Sequence, residues 1–492
     1  MAHIAVDLGT TNIKAAFFDS DLKQISMISR TVHYVRKNNL VEFEPLEYFD
    51  TVAGAVRSCI LESGTNPREV TSIILTGQAE SLVVIDEKGL PIRMGISWMD
   101  ERSGDESREL SEQFPLETTY PITGQPAIIP TWPITKILWM KRNEPELFQQ
   151  AAKFLMLKDY ILYRLTGIIN GEYSIYNFTH YLDIRKKDYW HDILAYCGVS
   201  QSQLPELAEP CTDIGTLSSG GADAAGLSRN TTVNAGTLDH FAGMIGTGNM
   251  TEGIISESAG TVLAIATLLN KPLLTDARIP CHYGPFKDSY VLLPVCESGG
   301  ISLEWFKNTF AEQVSFDEIN TELESRTLPN DLTFLPYLTG VNGPELDRDA
   351  SGVFFGIHLS HDRYDFAYAV MEGVACLLKK NLVFFEKAGI KADTIISTGG
   401  GARSRFWTQL KADISGYTVA VPENEEAACL GAAIIGAVAA GEFSSYDEAV
   451  MSCVSMREEF SPRPSARLDE KYQTFNKLYE TLIPVFTASS SQ

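Results

Sequence analysis

His3-Ile-Ala-Val-Asp7-Leu-Gly9-Thr10-Thr11, at the start of the chain, and Ile254-Ile-Ser-Glu-Ser258-Ala-Gly260-Thr261, about 250 residues later, each set a Gly-Thr turn directly behind a strand-like apolar run. Glycine lets backbone approach a phosphate closely, the following amides and hydroxyls donate to its oxygens, and a carboxylate at the strand end can hold the accompanying cation through water. Only the first turn carries that carboxylate, Asp7. A single Asp-x-Gly-Thr is equally at home in a tight hairpin, where Asp and Gly are favoured for conformational reasons. The second copy turns the reading toward a nucleotide clamped between two related halves.

Length and composition accommodate that plan. A chain of 492 residues exceeds what one hydrophobic core organises, so two domains are expected. A hydrophobic fraction of 44% with 21% charged residues is ordinary for a globular protein, but 40 Lys and Arg against 63 Asp and Glu leave a formal charge of -23. Such an acidic surface repels phosphodiester backbones and anionic lipid, which argues against nucleic acid and membrane partners, so phosphate sites must be made locally. The eight cysteines are scattered without a C-x-x-C pair and read as reduced thiols, neither a disulfide framework nor a zinc site. With no secretory leader to read at the N-terminus, a cytoplasmic location is expected. The run Ala427 to Ala440 is too short to span a bilayer and reads as a helix packed closely on a sheet.

Hydrophobic periodicity gives the rest of the outline. His3 to Asp7 and Lys14 to Asp19 form a hairpin around the first turn. A helix is expected over residues 46–62, with Leu46, Phe49, Val52, Val56 and Cys59 or Ile60 on one face. A buried strand follows at 71–75, then Gly77-Gln78-Ala79-Glu80, then a hairpin of Leu82 to Asp86 and Ile92 to Trp98. Much of 134–165 reads as helix, with Pro133 in a first turn. The second half, opening near residue 246, repeats the order of strand pair, Gly-Thr turn and later helices. It adds a long amphipathic helix from Asp365 to Lys387 and a strand, Thr394 to Thr398, running into Gly399-Gly400-Gly401-Ala-Arg-Ser404. The tail from Thr487 reads as polar and frayed.

Two longer patterns make the resemblance specific. Gly352-Val-Phe354-Phe-Gly356-Ile357, seven residues, then Asp365-Phe366-Ala-Tyr-Ala369-Val-Met-Glu372 is one; Pro133-Ile-Thr-Lys136-Ile-Leu-Trp139-Met140-Lys-Arg-Asn143 is the other, met except at its first position, Thr131. The chain resembles the FGGY carbohydrate kinases, of the actin and hexokinase-like ATPase superfamily, over nearly its whole length and on the xylulokinase and gluconokinase side. The resemblance implies an α/β fold of two actin or ribonuclease H-like domains, residues 1–245 and 246–492, each a mixed β-sheet flanked by helices, with a cleft between. It implies ATP and Mg2+ as cofactors, a small sugar or polyol as partner, and a homodimer as a possible assembly.

The same likeness assigns residues. Asp239, in Gly236-Thr-Leu-Asp239-His240, matches the carboxylate that takes the proton from the attacking hydroxyl. Asp7 matches the magnesium-facing group, Thr10 and Thr11 the phosphate turn, and Gly260 with Thr261 its counterpart. Gly300 and Glu304 match a nucleotide-facing turn, and Gly400, Gly401 and Ser404 an adenosine motif. Gln78, Glu80, Trp98, Asp239 and His240 fall where relatives contact substrate. Each has a plainer alternative: Asp239 as a helix N-cap, Glu80 as a solvated charge, Trp98 as a core aromatic, His240 as packing. A ketopentose such as xylulose is the expected acceptor. Two departures, Ala79-Glu80-Ser81 where xylulokinases carry Met-His-Gly and Gly340-Val-Asn-Gly-Pro344 without its arginine, keep other polyol or aldonate acceptors open. A carboxylate at Glu80 disfavours gluconate unless a cation compensates. A P-loop is excluded, because no Gly-Lys pair occurs. A sugar-responsive regulator without catalysis, built on the same scaffold, is the non-enzymatic alternative.

Overall fold

The computed structural model describes residues 1–328 and 331–490. Each of its two large sheets grows outward from a strand that precedes a Gly-Thr turn. In the first, Ala2–Leu8 pairs antiparallel with Asn12–Phe18, which continues antiparallel into Gln24–Thr31. On its other side Ala2–Leu8 runs parallel to Val70–Gly77, and that strand runs parallel to Thr232–Asn234. In the second sheet Ile254–Ala259 takes the equivalent central place, antiparallel to Leu263–Leu269 and parallel to Thr394–Thr398, which is itself parallel to Thr418–Pro422. One strand order therefore serves both halves, as the repeated turn implied, and helices flank both sheets.

One local reading gains a partner and another changes. The hairpin after Glu80 forms, with Leu82 opposite Ile96 and Ile85 opposite Pro91, and it lies inside a separate five-stranded sheet where Leu82–Ile85 also pairs with Lys153–Met156. That strand interrupts the stretch read as helix, which divides into Pro133–Asn143, Pro145–Gln150 and Leu157–Thr166. The physical reason is burial: Phe154, Leu155 and Met156 are all apolar and fully buried, and a short run of that kind suits a two-sided strand as well as a helix. The helix Pro45–Ser63 forms as expected, but Leu46 points to solvent while Tyr48 and Phe49 enter the core. At the end of the chain, helix Ala466–Ser490 continues through the segment expected to fray, and residues 491–492 lie outside the described part.

The helix Ala427–Ala439 belongs to the second half by sequence yet packs on Ala2–Leu8 and Val70–Gly77 of the first. Its small residues explain how. A methyl group on Gly431 would lie 1.8 Å from the Ala242 carbonyl oxygen, and one on Gly246 would lie 1.9 Å from that of Ala427. These two glycines let helix Asp239–Gly246 and helix Ala427–Ala439 meet backbone to backbone, joining the halves at the site's floor. Gly431→Ala is accordingly expected to force the helices apart and cost about 1–3 kcal/mol, the range for overpacking, seen as a lowered thermal midpoint. An unchanged midpoint would mean the contact is loose.

Among the described residues no helix is long and apolar enough to cross a membrane, and all eight cysteines are free thiols.

Candidate active site

Three neighbouring parallel strands end together. Leu8 lies opposite Gly77 in the sheet, and Gly77 bridges to Leu238, so Asp7 with the Gly9 turn, Gln78 and Asp239 all emerge at one edge. The carboxyl ends of parallel strands are where α/β sheets collect ligands, because loops diverge there and following helices point their N-termini inward.

Asp239 opens the helix Asp239–Gly246, and its Oδ1 accepts the His240 backbone N–H at 2.6 Å. The turn ahead of it requires glycine: Gly236 has φ +57°, and a methyl group there would sit 1.8 Å from the Leu75 carbonyl oxygen. Buried polar groups hold the turn. Lys158 Nζ donates to the Ala235 carbonyl at 2.7 Å and pairs with Glu172 at 2.6 Å, Ser174 Oγ lies 2.8 Å from Thr237 Oγ1, and Thr76 donates to the Thr237 carbonyl. None of these supports was singled out from sequence.

Asp7 faces Asp239 across this edge. Burial pushes its carboxyl up to about 7, the like charge of Asp239 adds to the rise, and the Lys14 ammonium opposes it. Asp7 Oδ1 is buried without a hydrogen-bond partner, a state that is costly for a carboxylate unless a cation or a proton meets it. The residues therefore fit a divalent cation held mainly by water and phosphate oxygens; no group of three or more His, Cys, Asp or Glu side chains forms a closed metal cage among the described residues. Lys14, opposite Asp7 on the adjoining strand, reaches Glu426 at 2.5 Å, at the start of helix Ala427–Ala439.

A cleft of about 180 Å³ joins the halves, lined by Asp239, His240, Gly243 and Thr247 on one wall and Ser256, Ser258 and Thr398 on the other. The second Gly-Thr turn continues from that second wall. Gly300 N–H donates to the Gly260 carbonyl at 2.7 Å and Gly299 N–H to Thr261 at 3.3 Å, so the Gly300 corner packs directly on the turn, while Glu304 lies exposed one turn into helix Ile301–Phe310. Gly400 and Gly401 begin a short 3-10 turn against Ala259, placing the glycine run beside the Gly260 turn. Ser404 serves a different purpose: its hydroxyl accepts from Trp407 N–H as the cap of helix Arg405–Ser415 and donates to Asn320. Thr11 and Thr261 are exposed at the tips of their turns.

On the other side of Asp239 the remaining residues interlock. Gln78 Nε2 donates to the Gly9 carbonyl at 3.3 Å, its Oε1 receives Ser81, and Ser81 Oγ receives Trp98 N–H. Trp98 Nε1 donates to Thr10 Oγ1 at 2.9 Å, and the ring is 37% exposed, which disposes of a core-aromatic role. Glu80 has φ +66°, rare outside glycine, and burial pushes its carboxyl up to about 8 against the pull of Lys136 and a Thr131 hydrogen bond. It is no solvated surface charge. Burial holds His240 below its ordinary value against the attraction of Asp239, leaving a neutral ring at pH 7. Behind it His282, stacked on Phe178 at 4.3 Å, is also neutral; it approaches Gln125 at 3.1 Å and was not anticipated.

Two family models match the chain: the N-terminal domain of the FGGY family of carbohydrate kinases over residues 2–246, and its C-terminal domain over residues 256–440. A xylulose kinase of Bacillus subtilis is 31% identical over 97% of this chain and 96% of its own length, and a gluconokinase of the same organism is 30% identical over 98% and 94%. Among solved structures, a xyloylose kinase from Brucella ovis superposes with a TM-score of 0.92 at 26% identity, covering 99% of this chain and all of its own.

Proposed function

The chain belongs to the FGGY family of carbohydrate kinases, and from that premise we propose that it transfers the γ-phosphoryl group of ATP to a hydroxyl of a neutral sugar or polyol, a ketopentose such as xylulose first among them. The observation that carries the chemistry is the common edge where Asp7, the Gly9 turn and Asp239 emerge beside a cleft walled by the strand of the second Gly-Thr turn. We place the domain division at 245/246, the reactive centre between the halves, and the protein in the cytoplasm, in keeping with its free thiols.

Phosphoryl transfer depends on positioning and charge neutralisation more than on covalent catalysis by the protein. The Gly9-Thr10-Thr11 and Gly260-Thr261 turns grip the phosphates from opposite walls, and Gly400 and Gly401 leave room for the adenosine. Asp7 would hold the accompanying cation, and Mg2+, when bound, would supply neutralisation of phosphate charge. Asp239 orients the acceptor hydroxyl and receives its proton at a carboxylate oxygen as the bond to phosphorus forms. Gln78, Glu80, Trp98 and His240 surround the acceptor.

Glu80 is the best discriminator of acceptor class. Its acceptor oxygens suit hydroxyl donors, and the Ala79-Glu80-Ser81 corner differs from the Met-His-Gly of xylulokinases, which keeps glycerol-, erythritol- and gluconate-like acceptors in the test. ADP release measured over a panel of pentuloses, hexuloses, polyols and aldonates is expected to rise sharply for one neutral acceptor and to stay low with ATP alone, since closure on the acceptor limits transfer to water. ATP hydrolysis at full rate without any acceptor would contradict the kinase reading, and nucleotide binding without turnover would favour a regulator.

A further inference from the structure

We propose that Lys136, which no part of the reaction above uses, is a positioning residue that clamps together the two loops carrying Glu80 and Trp98 and so fixes how the acceptor is recognised. The inference rests on the sugar-kinase reading and deepens it at the acceptor end. Lys136 lies on helix Pro133–Asn143 and is fully buried. Its Nζ donates to the Glu80 backbone carbonyl at 3.3 Å and to the Ser97 backbone carbonyl at 2.9 Å. Those carbonyls belong to chain segments 17 positions apart, at the open end of a hairpin whose turn is closed between Asp86 and Leu90 and whose last ladder pair is Leu82 with Ile96. The ammonium therefore cross-links the two loops, alongside the Trp98 N–H to Ser81 Oγ bond. It sits one residue before Trp98 on one side and on Glu80 itself on the other.

Burying an ammonium costs several kcal/mol; the Glu80 and Asp100 carboxyls offset part of that, while both hydrogen bonds of this one go to backbone carbonyls. What it secures is geometry. Glu80 occupies the left-handed region at φ +66°, a conformation that persists in a non-glycine residue only where surroundings impose it, and a hydrogen bond to that residue's own carbonyl is such an imposition. Trp98 is tied in turn to Thr10 of the phosphate turn and, through Ser81, to Gln78. Loosening the Lys136 clamp frees the Glu80 carboxylate and the Trp98 ring together while leaving the Gly260 and Gly400 turns untouched.

The test compares wild type with Lys136→Met and Lys136→Gln, measuring kcat, KM for the acceptor that wild type uses best, KM for ATP and the thermal midpoint. The expected result is a rise in acceptor KM of at least about tenfold for Lys136→Met, a smaller rise for Lys136→Gln, which keeps one donor, and a KM for ATP within about twofold of wild type. An acceptor KM that stays put in a folded variant overturns the inference, as does an equal rise in both KM values, which is the mark of a general loss of structure. Should Lys136→Met not fold, Lys136→Gln carries the same comparison; should neither fold, the residue is a scaffold group and the inference falls. Wild type that accepts none of the panel defeats the sugar-kinase reading first, and that outcome is recognisable before any variant is made.

Discussion

Replacing Asp239 by Asn lowers turnover by about 10²–10⁴-fold and leaves ATP affinity close to wild type. The amide is nearly the same shape, and its oxygen can still accept the His240 N–H that the carboxylate accepts at 2.6 Å, so helix Asp239–Gly246 keeps its start. Gly236 and the Lys158 contact fix the preceding turn independently of the side chain. What disappears, on the function proposed above, is the capacity to take a proton from the acceptor hydroxyl. The direction for nucleotide follows from Asp7, whose carboxyl is raised to about 7 by burial first and by the charge of Asp239 second. Removing that charge lowers the Asp7 value, which increases its ionised fraction near neutral pH and favours a cation beside it. ATP binding with magnesium should hence hold or tighten, measured by calorimetry, while kcat at saturating acceptor collapses. A variant that retains normal turnover takes Asp239 out of the mechanism.

What could be read from the sequence was whatever the chemistry writes into adjacent residues. Gly9, Gly236 ahead of Asp239, and Gly399 with Gly401 in the later run are local signals, because a close approach or a left-handed backbone forces glycine at the spot where it is needed. The repeated strand order followed from finding the turn twice. Buried lysines carry no such mark: Lys136, Lys158 and Lys411 look like any surface lysine, and their partners stand 14 to 154 positions away. Lys136 even lay inside a pattern recognised as a signature, where its type was visible and its contacts were not. Ser404 was assigned to an adenosine motif through the family resemblance; helix capping is an equally local demand on serine at that position, and here its hydroxyl accepts from Trp407 N–H. The strand Lys153–Met156 was missed for a third reason, that its place in a sheet is decided by Leu82–Ile85, about 70 residues upstream.

The second large effect is expected at Lys411, and it bears on how the Gly260 and Gly399–Gly401 turns, the proposed nucleotide site, are held. Glu257 and Ser397 stand opposite each other on the parallel strands Ile254–Ala259 and Thr394–Thr398, and Lys411 of helix Arg405–Ser415 reaches both. All three side chains are excluded from solvent, and the second carboxylate oxygen of Glu257 has no hydrogen-bond partner. The trio therefore lies next to the Gly260 and Gly399–Gly401 turns, and Glu257 itself belongs to the lining of the cleft. Lys411→Met leaves a buried carboxylate without its cation and should cost about 3–5 kcal/mol, whereas pairing it with Glu257→Val removes both charges and should return most of that loss, because a matched apolar pair replaces a desolvated ionic one. The shift in urea midpoint for the two single and the double variants measures the coupling. If the ion pair also fixes the spacing of the turns, the double variant regains stability yet keeps a weaker affinity for ATP, since Ala259 and Gly401 are then held apart only by packing. Equal midpoints for Lys411→Met and the double variant would show that the buried charge is already met by another group, and full recovery of both stability and ATP affinity would show that the pair sets no geometry at the turns.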